Sequence, residues 1–180
     1  MDIFVISISD ADNIKPELLE GFRHKEFKNR EKQKTHSFSY LMADRILREF
    51  YKIENREIEF TDGKPYLKSL DKYFSISHSG KYILIGFSDS ECGVDIEQIK
   101  NRDYIAIAER MKFNVSNQEE FYAEWTKYEA QYKLGEKYAS VWQTKFENYM
   151  LTAVSQNAQE KFEIYIQNGE KFSNAETPVF

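Results

Sequence analysis

The sequence predicts an α+β fold built from two related halves, and three observations carry that prediction. Apolar positions recur at a helical period in two stretches, residues 38–51 and 116–135, and strand-like runs follow each stretch. Tyr82-Ile83-Leu84-Ile85-Gly86-Phe87 and Tyr149-Met150-Leu151-Thr152-Ala153-Val154 are both led by an aromatic residue and followed by a serine, Ser88 or Ser155. The helix-then-strands order occurs once in each half, as expected of a duplicated unit.

Residues 3–8 are apolar enough for a first strand, and Ser9 to Asn13 form a turn before a short helix beginning near Pro16. Between Arg23 and Lys34 stand six bases (Arg23, Lys25, Lys28, Arg30, Lys32, Lys34) against Glu26 and Glu31, a local balance of +4. Alone, that run reads more readily as a solvated helical face than as a site. Phe38, Leu41, Ile46, Leu47 and Phe50 mark an amphipathic helix over 38–51. Gly63 after Asp62 marks a turn, and Tyr66-Leu67, residues 73–76 and residues 82–87 follow as strands. A polar turn at 88–92 leads into Gly93-Val94-Asp95-Ile96-Glu97. Ser116-Asn117-Gln118-Glu119 has a capping-box pattern, so a long helix starts near Ser116 and stops near Gly135, with Phe121, Trp125, Tyr128 and Tyr132 as its apolar positions. Strands are expected at 149–154 and 162–166, and a loose tail from Ser173 to Phe180.

The chain's 180 residues suit one sizeable domain or two half-domains, and 41% hydrophobic with 16% aromatic residues supply a packed core. With 25 Lys+Arg against 30 Asp+Glu, the net charge of -5 argues against a general nucleic-acid binder. The single cysteine, Cys92, cannot form an internal disulfide and fits a reducing compartment. Residues 1–8 lack a secretory pattern, and no apolar run approaches the roughly 20 residues of a membrane span. A soluble, cytoplasmic protein without membrane partners is therefore expected.

Four segments carry candidate chemistry. On a strand, Asp95 and Glu97 project to one face while Val94 and Ile96 face the core, and two close carboxylates repel unless a cation neutralises them. Hard oxygen ligands suit Mg²⁺, although the five residues alone read more readily as an edge strand with two solvated acids. Trp125, Glu129 and Lys133 fall at i, i+4 and i+8 of a helix, either as an ordinary Glu-Lys pair or as a carboxylate and an ammonium serving a site. In Phe74-Ser75-Ile76-Ser77-His78-Ser79-Gly80, adjacent Ser77 and His78 diverge on a strand and do not suit a hydrolytic pair; hydroxyls, backbone N–H groups and a cationic His suit an anion. Gly63-Lys64-Pro65 offers a lysine on a stiff turn.

Taken in order, these four segments resemble the successive signature motifs of the 4′-phosphopantetheinyl transferase superfamily, in its pseudodimeric, Sfp-type branch, as a short member. The resemblance implies an intramolecular pseudodimer of two α/β half-domains, 1–98 on the nucleotide side with the first metal carboxylates, and 99–180 with the helix of Glu129 and Lys133. It implies a holo-[acyl-carrier-protein] synthase type of enzyme: transfer of the phosphopantetheine arm of coenzyme A to a serine of an apo acyl or peptidyl carrier protein, releasing adenosine 3′,5′-bisphosphate. Asp95, Glu97 and Glu129 would hold Mg²⁺, or Mn²⁺, against the pyrophosphate, and Glu129 would also take the serine proton, directly or through water. Lys133 would stabilise the phosphates, and Ser77 and His78 would contact the 3′-phosphate. Lys64 and Pro65 would lie by the nucleotide, while Lys25 and Lys28 occupy the family's lysine region for the 3′-phosphate. Where family members often carry an arginine near the start of the 38–51 helix, this chain has Lys34 and His36 as substitutes. A single chain with both halves implies a monomer. The alternatives are a catalytically silent coenzyme A or carrier-binding module of the same fold, and a Mg²⁺-dependent phosphohydrolase.

Overall fold

β1 (Asp2–Ser7) contains the apolar run Ile3 to Ile6, and both of its faces are buried. That is the pattern of a strand covered on two sides. The computed structural model describes residues 1–54, 57–61, 64–67, 72–101, 103–168 and 171–175. After β1 come a 3₁₀ segment, Ile8–Asn13, and the helices α1 (Pro16–Glu20) and α2 (Arg30–Glu49). The strands β2 (Ile58–Thr61) and β3 (Lys64–Leu67) form a separate hairpin. Next are β4 (Tyr73–Ser79), β5 (Tyr82–Ser88) and β6 (Cys92–Gln98), then α3 (Ile105–Met111) and α4 (Gln118–Leu134). The chain continues with β7 (Ser140–Phe146), β8 (Tyr149–Ser155), β9 (Glu163–Asn168) and β10 (Lys171–Ala175).

One sheet has the order β10-β9-β1-β5-β4 and the other β6-β8-β7, so both draw strands from either side of residue 98. All pairings are antiparallel except β1 with β9. Phe4 and Ile6 face α2, where Phe38, Leu41, Ile46 and Leu47 complete the first core. Ile3 and Val5 point the other way and meet Leu84, Val94, Ile96, Leu151 and Ala153 between the sheets. The far face of the second sheet presents Met150 and Val154 to the helices, against Phe121, Tyr122, Ala130 and Leu134. The layers thus run helix, sheet, sheet, helix, and each fully buried Phe or Leu contributes roughly 1.5–3 kcal/mol. Glu160 ties the sheets at one end, accepting from Ser88 Oγ at 2.9 Å and Ser155 Oγ at 2.8 Å.

Four sequence expectations shift. The helix expected from residue 38 begins at Arg30, where Asn29 caps it by accepting from the Lys32 N–H at 3.0 Å. Its early residues face largely outward, so the apolar period starts only at Phe38, and Arg30, Lys32 and Lys34 are helical. The capping box of α4 lies one residue later than read: Asn117 accepts from the Glu120 N–H at 2.9 Å, and Glu120 accepts from the Ser116 N–H at 2.6 Å. Asn caps as well as Ser, and Glu stands at both 119 and 120, so the pattern fits either register. The buried stripe of α4 is Phe121, Tyr122, Thr126, Ala130 and Leu134, and Tyr128 and Tyr132 are exposed. Small residues are required there because Gly93 packs under Ala130: a Cβ at Gly93 would lie 2.0 Å from the Ala130 carbonyl oxygen. Residues 173–175 of the expected tail belong to β10, and residues 176–180 lie outside the described part. Among the described residues, no helix is long and apolar enough to cross a membrane.

Candidate active site

β6 is an edge strand by backbone pairing, yet its open edge is closed by side chains of β4. Alternate serines of β4 share one face: Ser75 Oγ accepts from the Val94 N–H at 3.1 Å, and Ser79 Oγ accepts from the Gln98 N–H at 3.1 Å. Ser77 Oγ donates to Asp95 Oδ1 at 2.7 Å, and Ser79 Oγ donates to Glu97 Oε2 at 2.8 Å. The serine ladder satisfies two edge N–H groups and holds both acids, so the solvated edge strand of the sequence reading is replaced by a buried seam. Asp95 is only 4% exposed.

The face of β6 that carries Gly93 and Asp95 is covered by α4. There Lys133 Nζ donates to Asp95 Oδ1 at 2.8 Å and to the Val94 carbonyl at 3.0 Å. Ser77 and Lys133 both bond Oδ1 of Asp95, and its Oδ2 is buried without a hydrogen-bond partner. Glu129, one turn before Lys133, is near enough to feel both acids: partial burial and the charges of Asp95 and Glu97 push its carboxyl above the ordinary range, against the pull of Lys133. Two motifs far apart in sequence therefore meet here, with Asp95 bonded to Lys133 and Glu129 within electrostatic reach of Asp95, Glu97 and Lys133. Among the described residues, no three His, Cys, Asp or Glu side chains are grouped so as to hold a metal ion, so the expected set of Asp95, Glu97 and Glu129 is not drawn together as ligands here.

His78 stands exposed beside this seam. Crowding on one side of its ring and the Lys133 ammonium hold its imidazole below the usual 6.5, with Asp95 opposing. The cationic His of the sequence reading is thus neutral at pH 7 in this state. Of the other basic candidates, Lys25 and Lys28 are exposed, with Lys25 5.5 Å from the centre of the Phe27 ring. Lys34 is engaged with Asp12. His36 Nε2 is buried and unpartnered, so of Lys34 and His36 the latter has the free valence. Pro65 lines a cleft of about 1220 Å³ that also borders Tyr40, Tyr66, Tyr128, Tyr132 and Lys133. Gly63 and the Lys64 side chain lie outside the described residues. Cys92 also lines the cleft, and burial pushes its thiol up to about 12, which makes it a poor nucleophile.

Sequence reasoning passed over Ser75 and Ser79, although their spacing at i and i+4 around Ser77 was visible. It also passed over a ring cluster in which His24 and His36 lie 4.8 and 4.9 Å from Tyr40 and Phe27 lies 5.1 Å from His36. This cluster fastens the basic segment to α2. All three histidines of the chain sit below 6.5: burial acts first on each, then His24, Lys25 and His78 on His36, and Lys133 on His78. The folded state therefore resists protonation that the unfolded chain accepts, and stability present above pH 6.5 is lost as pH falls through the lowered folded values. Thermal midpoints measured from about pH 7.5 to about pH 5.5 are expected to fall below pH 6.5, and less steeply in a His36→Gln variant.

No protein-family model matches this chain. It is 38% identical over 69 residues to a protein of Bacillus pumilus named 4′-phosphopantetheinyl transferase psf-1, covering 36% of this chain and 29% of that protein. It is 37% identical over 54 residues to 4′-phosphopantetheinyl transferase Sfp of Bacillus subtilis, covering 28% of this chain and 24% of that protein. These matches bear out the resemblance to the Sfp-type branch of the superfamily drawn from the motifs. The matched segments span less than a third of either relative.

Proposed function

We propose that this protein transfers the 4′-phosphopantetheine arm of coenzyme A to a serine hydroxyl of an apo acyl or peptidyl carrier protein, releasing adenosine 3′,5′-bisphosphate. The observation that carries this reading is the convergence of Asp95 and Glu97 on β6 with Glu129 and Lys133 on α4, in a chain similar to two proteins named for that transfer.

The donor set fits a hard divalent cation such as Mg²⁺. Three carboxylates supply only oxygen, and Asp95 Oδ2 is a buried acceptor with no partner. Mg²⁺ typically takes one or two protein carboxylates and completes its shell with water and substrate phosphates, so Asp95 with one neighbouring acid would suffice to hold it. When bound, the cation would neutralise the pyrophosphate of coenzyme A. The chain's own residues supply the rest. In the transfer, the carrier serine oxygen forms a bond to phosphorus while the bond to the departing nucleotide oxygen breaks, and Glu129 takes the serine proton. Burial and the neighbouring acids raise its pKa, which makes it a stronger proton acceptor than an ordinary glutamate. Lys133, already beside Asp95, would turn its ammonium to the phosphates, His78, Lys25, Lys28, Lys64 and His36 would face the nucleotide and its 3′-phosphate, and Ser77, whose hydroxyl donates to Asp95, would hold that acid instead.

Two related halves are supported by topology. In β1-α2-β4-β5 the strands pair in the order β1-β5-β4, and in β6-α4-β7-β8 they pair in the order β6-β8-β7. Tyr82 and Tyr149, which lead the two matched segments, touch with ring centres 5.1 Å apart. Two halves in one chain favour a monomer, and the single cysteine favours a cytoplasmic setting.

The test is direct. Purified protein, coenzyme A and Mg²⁺ are incubated with a panel of apo carrier proteins, and intact mass is read. A gain of one phosphopantetheine arm on at least one carrier is expected; no gain on any carrier overturns the reading.

A further inference from the structure

Ser79 is claimed by neither the nucleotide nor the metal in the reading above, yet its hydroxyl occupies a defined place between two groups. It accepts from the Gln98 N–H at 3.1 Å and donates to Glu97 Oε2 at 2.8 Å. A hydroxyl has one proton, and because the backbone N–H takes an oxygen lone pair, that proton is left to point at Glu97. Two residues earlier, Ser77 stands in the same relation to Asp95. In each pair one carboxylate oxygen is taken by a serine, and at Asp95 the other is left buried and free.

We propose that Ser79 is a positioning residue: by engaging one oxygen of Glu97 it turns the other toward the seam and so sets how tightly the acids hold a divalent cation. The inference rests on the metal-binding reading of the previous subsection. Glu97 needs such a hold more than Asp95 does. Asp95 is a short side chain, buried and also bonded by Lys133, whereas Glu97 is longer and half-buried, and ordering it has an entropic cost.

Ser79 itself is rigidly mounted. It ends β4, and the next residue, Gly80, turns the chain at φ 56, where a side chain is strained. A Cβ at Gly80 would come within 2.4 Å of the Tyr149 hydroxyl, which itself accepts from the Lys81 N–H at 3.1 Å. The turn is therefore docked against β8. Groups that orient metal ligands in this way typically contribute 10–100-fold in metal affinity.

The experiment titrates Mn²⁺ into the full chain, reading free Mn²⁺ by electron paramagnetic resonance, with thermal midpoints recorded in parallel. Ser79→Ala is expected to bind Mn²⁺ about 10–100-fold more weakly than the unaltered protein, and Ser79→Thr, which keeps the hydroxyl on a β-branched frame suited to a strand, to recover most of that loss. Similar thermal midpoints in all three would separate positioning from folding. Wild-type affinity in Ser79→Ala, or equal weakness in Ser79→Thr, overturns the inference while leaving the metal-binding reading intact. An unaltered protein that takes up no Mn²⁺ overturns both.

Discussion

Asp95→Ala is expected to lower phosphopantetheine transfer by at least about 100-fold, the scale seen when a preorganised charge at a reaction centre is removed. The substitution takes away the seam's most buried carboxylate and leaves Lys133 paired only with the Val94 carbonyl. Because Lys133 keeps 28% of its side chain exposed, the stability cost lies between the ~1 kcal/mol of a surface pair and the ~4 kcal/mol of a buried pair broken on one side. Asp95→Asn separates the two effects. It keeps the shape and an oxygen for Ser77 and Lys133, so its thermal midpoint is expected within a few degrees of the unaltered protein, with activity still lost. Both variants also remove a charge that raises Glu129, so any residual rate is expected to hold up to lower pH. Mass-shift rates from about pH 5 to about pH 8, with thermal melts, check all three outcomes. Near-normal transfer by Asp95→Asn would refute the assignment.

Gly93→Val is expected to have the largest effect on stability. A Cβ there falls 2.0 Å from the Ala130 carbonyl oxygen and 3.0 Å from the Leu134 backbone nitrogen. Those neighbours are helix backbone, not the movable end of a side chain, so α4 must lift from β6. Overpacking of that kind costs roughly 3 kcal/mol or more, about 6–12 °C in thermal midpoint for a chain of this size. Lifting α4 also carries Glu129 and Lys133 away from Asp95, so activity is expected to fall with stability. A midpoint within about 3 °C of the unaltered protein would show that α4 is not seated as described.

The two matched segments, Tyr82 to Phe87 and Tyr149 to Val154, became β5 and β8, because a continuous apolar run bounded by turn residues is a local signal. Asp95, Glu97, Glu129 and Lys133 could be nominated from spacing, since alternation on a strand and a four-residue step on a helix are also local. The length of α2 was less legible, because its first turns face outward and carry no apolar period. For α4, Tyr128 and Tyr132 looked like core by type, but the buried stripe is Phe121, Tyr122, Thr126, Ala130 and Leu134, with the helix backbone at Ala130 pressed against Gly93.

While α3 and β7 carried no signal that was read, the sequence by itself determined β1, β4, β5, β6, β8 and β9 among the strands of the two sheets and the helices α2 and α4, and it nominated the acids, bases and hydroxyls of four motifs. Those follow from period and residue type within a few positions of the chain. Only the tertiary structure decided that the β4 serines close the β6 edge, that Lys133 takes one oxygen of Asp95 and leaves the other free, and that His78 is neutral. Each depends on groups at least 18 positions apart, from Ser77 and Asp95 to Asp95 and Lys133, meeting in a buried place where burial and neighbouring charge act together.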